Sequence, residues 1–194
     1  MKFEVLTGEA VVAFVPDLVR LRVTVFRDWP YLYEGSADYE SKYLAKYARI
    51  PRATVVLARD GDAVVGASTA LPLDDAEAEL RAPFVAAGID PGRVYYYGES
   101  VLLAPYRGQG AGVRFFAERE TRARALGFSI AAFCGVVRPE NHPARPAGHV
   151  PLDAFWAKRG FAPRPDLTAS FAWRDVGDSK PTAKPMAFWI KELG

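Results

Sequence analysis

A glycine-rich turn, Arg107-Gly-Gln-Gly-Ala-Gly112, is the segment of this chain best suited to bind an anion. It follows a β-prone run that ends at Pro105, and it leads directly into a strongly helical segment. Glycine allows positive φ values and a close approach of the backbone to a ligand. The first N–H groups of a helix have no partner within the helix, and the helix dipole adds positive charge there. We therefore expect this turn to bind a phosphate-bearing ligand such as a pyrophosphate.

The glycine spacing separates this turn from two common phosphate-binding motifs. Gly108, Gly110 and Gly112 lie two residues apart, whereas a dinucleotide-binding fold needs Gly-x-Gly-x-x-Gly. A P-loop needs Gly-Lys followed by Ser or Thr, and the turn lacks it. The alternative is a strand-to-helix turn that serves only for packing.

Glu99 is the second candidate, because it lies in the β-prone run shortly before the turn. An amine nucleophile is mostly protonated at neutral pH and needs a nearby base. With strict alternation along a strand, Glu99 shares a face with Tyr95, Tyr97 and Val101. A carboxylate in such surroundings is a candidate general base, the alternative being a structural carboxylate paired with an arginine or a backbone N–H. The candidates for a general acid are Tyr97, Ser100 and His149.

The segments that must position these groups alternate between helical and β-prone patterns. A β-prone segment at 95–103 and a helical one at 112–126 flank the turn. The other predicted strands are 2–6, 52–59, 63–71, 129–137, 168–175 and 185–192, and the other predicted helices run from Pro16 to before Trp29, then 38–48, 75–87 and 152–159. This order predicts an α/β (α+β) fold with a mixed sheet, in a single domain over residues 1–194.

Composition limits the classes of function. The chain has 25 basic and 23 acidic side chains, a net charge of +2, which gives no reason to expect nucleic acid or a membrane as partner. A single cysteine, Cys134, favours a reducing, cytoplasmic compartment, and the start of the sequence predicts no secretory signal. Two histidines and one cysteine far apart predict no metal site.

Two segments of the chain resemble the GNAT family of N-acetyltransferases. Arg107, Gly110 and Gly112 match its acetyl-CoA-binding signature, Arg/Gln-x-x-Gly-x-Gly/Ala, and residues 152–161 resemble its final helix. The resemblance implies a mostly antiparallel sheet of about seven strands flanked by helices, with acetyl-CoA as cofactor. It further implies that cofactor-binding residues are Val101, Leu102, Leu103, Arg107, Gly108, Gln109, Gly110, Ala111, Gly112, Val113 and Asn141.

The resemblance also implies how these positions act. The N–H groups of the turn would hold the pyrophosphate, and the backbone of 101–103 would pair with the pantetheine and polarise the thioester carbonyl. The sequence departs from the family pattern in two places. Pro105 lies one residue later than the proline of many members, and Trp156 stands where many members have a tyrosine as general acid. The acid is therefore not assigned by the resemblance.

The loop between the first two helices is the expected acceptor site, since in this family it commonly lines the acceptor pocket. Tyr31, Tyr33 and Glu34 would suit a cationic or aromatic amine. Core packing is the favoured alternative for the tyrosines of the following helix, Tyr39, Tyr43 and Tyr47.

Together these features predict an N-acetyltransferase that moves an acetyl group from acetyl-CoA to a primary amine by direct attack in a ternary complex. The acceptor would be a small molecule or a peptide, and a homodimer is compatible with the resemblance. The alternative is a catalytically silent acyl-CoA-binding sensor or interaction module.

Overall fold

A computed structural model describes all 194 residues of the chain. In chain order its strands and helices are β1 (Lys2–Leu6), α1 (Val15–Phe26), α2 (Ala37–Arg49), β2 (Thr54–Asp60), β3 (Ala63–Pro72), α3 (Ala78–Ala86), β4 (Val94–Leu102), α4 (Ala111–Ala125), β5 (Ile130–Val136), α5 (Asp153–Ala157), β6 (Ala162–Trp173) and β7 (Thr182–Glu192). None of the helices combines the length and hydrophobicity that crossing a bilayer would require.

The seven strands form one sheet in the order β1-β2-β3-β4-β5-β7-β6. Neighbouring strands are antiparallel except β4 and β5, which are parallel and joined through α4. The prediction of a mixed, mostly antiparallel sheet of about seven strands is therefore confirmed.

The helices cover both faces of the sheet. Leu21 of α1, Leu44 of α2 and Phe84 of α3 belong to one buried cluster, and we call this side the front face. Phe116 of α4 belongs to a second cluster, against which Trp156 of α5 packs, and we call this side the rear face. Burial of these two apolar surfaces is the main stabilising contribution to the fold.

The largest difference from the sequence prediction is in β6, which begins at Ala162 rather than at 168. Pro163 and Pro165 argue against a strand, because proline has no N–H to donate to a sheet. β6 lies at the edge of the sheet and pairs only with β7, with an irregular register between Arg164 and Thr168. An edge strand with a bulge tolerates prolines that a central strand would not.

Candidate active site

The glycine turn has a conformation that requires glycine at two positions. Gly108 has φ 76° and Gly110 has φ 86°, both in the region that side chains with a Cβ rarely adopt. A Cβ at either position would meet no atom within 4 Å, so the backbone angle rather than crowding selects glycine. At Gly112 a Cβ would lie 3.1 Å from the Phe155 ring, so that glycine allows α5 to pack closely on α4.

The N-terminus of α4 is open to an anion. Gly110 is its N-cap, no side chain caps the helix, and the first turn has no acidic residue. The N–H groups of 111–113 therefore lack an intrahelical partner. The Gln109 amide donates to the Pro105 carbonyl oxygen at 2.9 Å, so it braces the turn instead of capping the helix. These features fit the pyrophosphate of a coenzyme A ligand.

A gap opens between β4 and β5 next to this turn. The two strands pair only over Val94–Tyr96 and Ile130–Ala132, and they separate beyond that point. Leu103 N–H donates to the Val65 carbonyl oxygen at 3.0 Å on the β3 side. Because bonded and non-bonded pairs alternate in an antiparallel ladder, the backbone N–H groups of Leu102 and Ser100 are directed to the gap. This edge can receive an extended ligand as an added strand.

A β-bulge at Gly98 and Glu99 corrects the predicted faces of β4. Ser68 lies opposite Ser100 and Ala70 opposite Tyr97, so β4 has one more residue than β3 between these pairs. The alternation of side chains shifts by one residue there. Glu99 and Val101 therefore face the front, whereas Tyr95 and Tyr97 lie in the rear cluster. The prediction that Glu99 shares a face with Tyr95 and Tyr97 is wrong.

Glu99 is held in a buried group of charges. Its carboxylate is 2.8 Å from a guanidinium nitrogen of Arg22, and Arg22 also pairs with Glu40, which is fully buried. The Arg22 guanidinium lies 4.5 Å from the centre of the Tyr43 ring. Burial alone would lower the pKa of Arg22, but the carboxylates of Glu99 and Glu40 raise it above its usual value. Two carboxylates therefore share one guanidinium on the front face of the sheet.

The candidate acids lie in three different environments. Tyr97 is buried among rear-face rings, and burial raises its pKa. Ser100 Oγ accepts a hydrogen bond from Arg119 at 2.9 Å, and the His149 ring packs against Trp29. Tyr97 and Ser100 face the rear, away from the Glu99 carboxylate, and the ring contact of His149 is with Trp29. Trp156 packs on Phe133 at 5.0 Å between ring centres, at the position where the resemblance would place a tyrosine.

The remaining predicted positions fall around the gap and the turn. Leu102 and Leu103 are half-buried, and Asn141 lies exposed in the loop after β5. Arg107 donates to the Leu102 carbonyl oxygen at 3.1 Å and pairs with Asp28 at 3.3 Å. This ion pair ties the α1–α2 loop to the glycine turn. Cys134 is packed beside Tyr96, and burial raises its pKa to about 12, as expected for an inert thiol.

The α1–α2 loop carries the predicted acceptor residues and is fixed to the β6–β7 hairpin. Tyr33 forms a β-bridge with Asp175, and the Trp173 indole N–H donates to the Tyr31 carbonyl oxygen at 3.0 Å. Glu34 forms a partly exposed ion pair with Arg27. Tyr31 and Tyr33 are half-buried, and burial raises the pKa of both phenols. The three predicted residues therefore share one ordered loop.

A buried ion pair between Arg138 and Asp175 stabilises the α1–α2 loop. Two guanidinium nitrogens of Arg138 lie 2.6 and 2.9 Å from the Asp175 oxygens, and Arg138 also donates to the carbonyl oxygens of Pro30 and Tyr31. Lys184 lies 3.3 Å from the same carboxylate. Burial alone would raise the pKa of Asp175, but these two cations lower it below its usual value.

Asp175→Asn is expected to destabilise the fold by roughly 3 kcal/mol at pH 7, because it leaves two buried cations without their anion. A carboxyl whose pKa is lowered by folding stabilises fully above its unfolded pKa of about 3.9 and loses that contribution as pH falls through its folded value. Urea unfolding between pH 3 and 7 should therefore show the difference from the parent shrinking below about pH 4. Asp166→Asn is the matched control, since Asp166 pairs with Arg164 on the surface and should change the free energy of unfolding by about 1 kcal/mol or less. A difference that stays constant down to pH 3 would contradict this assignment.

Several side chains that organise the site were missed in the sequence. Glu40 lies on the same helical stripe as Leu44 and Tyr47, and Arg119 lies four residues from Phe115 and from Ala123. A charged residue on an apolar stripe at this spacing signals a buried, paired group. For Tyr43 and Tyr47 the core-packing interpretation agrees with their burial, whereas Tyr39 is 61% exposed.

Comparison with known proteins agrees with this architecture. A model of the acetyltransferase (GNAT) family matches residues 19–161. No curated protein matches the sequence. Similar solved structures include the ribosomal-protein-alanine N-acetyltransferase from Brucella melitensis, with a TM-score of 0.65, 16% identity and 99% of each chain covered.

Two other similar structures contain a coenzyme A ligand. An aminoglycoside 6'-N-acetyltransferase complexed with coenzyme A has a TM-score of 0.63 and 14% identity, with 100% of this chain and 98% of that chain covered. The yncA protein of Salmonella typhimurium, with its cofactor acetyl-CoA, has a TM-score of 0.60 and 11% identity, with 100% and 95% covered. At these identities the likeness concerns the fold, and the family match covers most of the sequence. This chain belongs to the acetyltransferase (GNAT) family.

Proposed function

We propose that this protein transfers an acetyl group from acetyl-CoA to a primary amine, by direct attack within a ternary complex. The observation that carries the proposal is the place of Glu99 on the part of β4 that no longer pairs with β5, in the same strand–turn–helix segment as the uncapped N-terminus of α4. Family membership and the coenzyme A ligands of two similar structures support the same donor.

The turn and the gap would hold the two ends of the cofactor. The N–H groups of 109–113 would hold the pyrophosphate, with Arg107 close by and Asn141 reaching the coenzyme A arm. The open edge of β4 at 100–103 would bind the pantetheine by backbone hydrogen bonds. When bound, acetyl-CoA supplies an activated thioester, and an N–H of β4 directed to the gap would polarise its carbonyl.

Glu99 would take the proton of the acceptor amine as the nitrogen attacks the acetyl carbon. The C–N bond forms, the C–S bond breaks, and the sulfur leaves as a thiolate. A thiol with a pKa of about 8.5 is a good leaving group, so Trp156 in place of an acidic tyrosine does not prevent the step. Arg22 keeps the Glu99 carboxylate oriented, while Glu40 takes part of the charge of that guanidinium.

Tyr31, Tyr33 and Glu34 would line the approach of the acceptor. Glu34 and the Glu40–Arg22–Glu99 group place negative charge near half-buried aromatic rings, which suits a protonated amine. Among similar structures, one protein acts on ribosomal protein alanine and another on aminoglycosides. Both peptide and small-molecule amines are therefore the first acceptors to test.

A second candidate function is acyl-CoA binding without turnover, as a sensor or interaction module. Packing of Trp156 against Phe133, and against Gly135 where a Cβ would lie 3.3 Å from the indole, favours it. The aromatic ring fills the position at which many relatives have a phenol.

Calorimetric titration with acetyl-CoA, followed by an acceptor screen, tests both functions. We expect micromolar binding and amine-dependent release of free thiol that exceeds hydrolysis without amine. Binding without acceptor-dependent thiol release across peptide and small-molecule amines would favour the sensor. Absence of binding by the folded protein would contradict both.

A further inference from the structure

Arg119, in the middle of α4, is a buried cation without a carboxylate partner. It is 2% exposed, and its guanidinium donates only to neutral oxygens. These acceptors are the carbonyl oxygens of Phe115 at 3.2 Å, Thr69 at 3.3 Å and Glu99 at 3.2 Å, and Ser100 Oγ at 2.9 Å. The guanidinium also lies 4.4 Å from the centre of the Tyr97 ring and 4.9 Å from that of Phe116.

Such an arrangement is costly for packing alone. Burial lowers the pKa of Arg119 to about 10, so the side chain is still charged at neutral pH but has lost most of its hydration. An apolar side chain of similar length would fill the same space between the rings without that penalty. We therefore expect the positive charge and the N–H donors of Arg119 to hold the groups that they contact.

Those groups are the backbone atoms of the β-bulge. At a bulge the regular ladder is interrupted, and carbonyl oxygens that would pair with the neighbouring strand need other donors. One guanidinium nitrogen of Arg119 donates to the carbonyl oxygens of both Thr69 on β3 and Glu99 on β4. These hydrogen bonds replace those that the ladder lacks at the bulge. A second nitrogen holds the side chain of Ser100.

The bond to the Glu99 carbonyl oxygen also orients the next N–H. In a planar trans peptide the C=O and the N–H point in opposite directions. Because the Glu99 carbonyl is directed to Arg119, the Ser100 N–H is directed away from it, in agreement with the ladder alternation that places this N–H at the gap. The same peptide unit fixes the Cα of Glu99, and so the front-face direction of its carboxylate.

We propose that Arg119 is a positioning residue: it holds the β4 bulge so that the Glu99 carboxylate and the Ser100 N–H both face the reacting groups. This inference rests on the acetyl transfer proposed above. Arg119 acts from the rear face and touches neither substrate. It would therefore influence the rate of the chemical step more than the binding of acetyl-CoA, whose pyrophosphate is assigned to 109–113.

Arg119→Met, which keeps the side-chain length and removes all donors, is the first variant. We expect kcat to fall about 10- to 100-fold, because a misplacement near 1 Å has effects of that order. The KM for acetyl-CoA should change by a smaller factor than kcat, because only the pantetheine edge at 100–103 adjoins the bulge and the pyrophosphate turn is untouched. Arg119→Lys, which keeps the charge and one donor group, should recover part of the rate. Arg122→Met is the matched control, as Arg122 is a half-buried arginine on the same helix and forms no hydrogen bond or ion pair with Gly98 or Glu99.

Hydrogen exchange of the free protein provides a readout that does not depend on turnover. Amides of 97–102 should exchange faster in Arg119→Met than in the parent and the Arg122→Met control, because the bulge opens more often. Exchange in the β1–β2 pair should stay unchanged. If the parent transfers no acetyl group, the proposed function fails, and exchange still decides whether Arg119 holds the bulge.

Three results would overturn the inference. The first is parental exchange over 97–102 in Arg119→Met. The second is faster exchange there with an unchanged kcat, which would make the contact purely structural. The third is an equal loss of kcat in Arg122→Met. If Arg119→Met does not fold, the same comparisons apply to Arg119→Lys, where faster exchange at the bulge and a reduced kcat are required.

Discussion

Glu99→Gln is expected to lower kcat/KM for acetyl transfer by about 10²- to 10⁴-fold, the usual contribution of a general base. Glutamine has nearly the same shape, but its amide cannot take the proton from the attacking amine. Affinity for acetyl-CoA should stay within about threefold of the parent, because the turn proposed to hold the cofactor is separate from Glu99. Steady-state kinetics with a responsive amine and calorimetry with acetyl-CoA measure the two effects separately.

The control for this substitution is Glu118→Gln. Glu118 is also paired with an arginine, Arg114, but it lies on α4 away from the gap. It should keep parental kinetics, so a shared loss of rate would point to general destabilisation. A Glu99→Gln enzyme that retains more than about a tenth of the parental kcat/KM would contradict the role of Glu99 as base, since that loss is below the range for general base catalysis.

The glycine turn and its flanking elements were predictable from the sequence because their determinants are local. Positive φ at Gly108 and Gly110 restricts the residue type at those positions directly. The alternation of β-prone and helical residues around them places the turn between β4 and α4 within a residue at each boundary. Local physics therefore predicted the conformation and position of the turn that we propose binds the cofactor.

The orientation of Glu99 was not predictable in the same way. A bulge depends on the register between two strands, so the residues of β4 alone do not determine where it lies. Gly98 is a partial signal in the sequence. In the structure a Cβ there would lie 2.5 Å from Thr69 Oγ1 and 2.7 Å from the Tyr47 hydroxyl, so this position requires glycine. The sequence carries a glycine in a strand, which is a known sign of a bulge. Strict alternation was therefore the wrong rule at this one point.

The partners of Glu99 and of the acceptor loop lie far away in the chain. Arg22 and Glu99 come from a helix and a strand, whereas Arg138 lies in the loop after β5 and Asp175 between β6 and β7. Charged residues at such distances pair only through the folded topology, so composition cannot identify them. Because these ion pairs are buried, breaking one is expected to lower the free energy of unfolding more than breaking a surface ion pair, which contributes little.

Gly110→Glu is expected to weaken acetyl-CoA binding by about 100-fold or more. At roughly 5 Å and an effective dielectric constant of about 20, repulsion between the new carboxylate and a phosphate charge is about 3 kcal/mol. The side chain would also enter the space that the pyrophosphate needs beside the α4 N-terminus. Calorimetric titration of the variant with acetyl-CoA measures the loss.

Gly88→Glu separates this effect from backbone strain. Gly88 has φ 72°, close to the 86° of Gly110, and a Cβ there also meets nothing within 4 Å. Each variant should lose about 1–2 kcal/mol of stability, because a side chain is forced into the left-handed region. Only Gly110→Glu should lose the cofactor, since Gly88 lies after α3, outside the turn proposed to bind it. If both variants bind acetyl-CoA as the parent does, the pyrophosphate is held elsewhere, and the open N-terminus of α4 serves the packing of the helix alone.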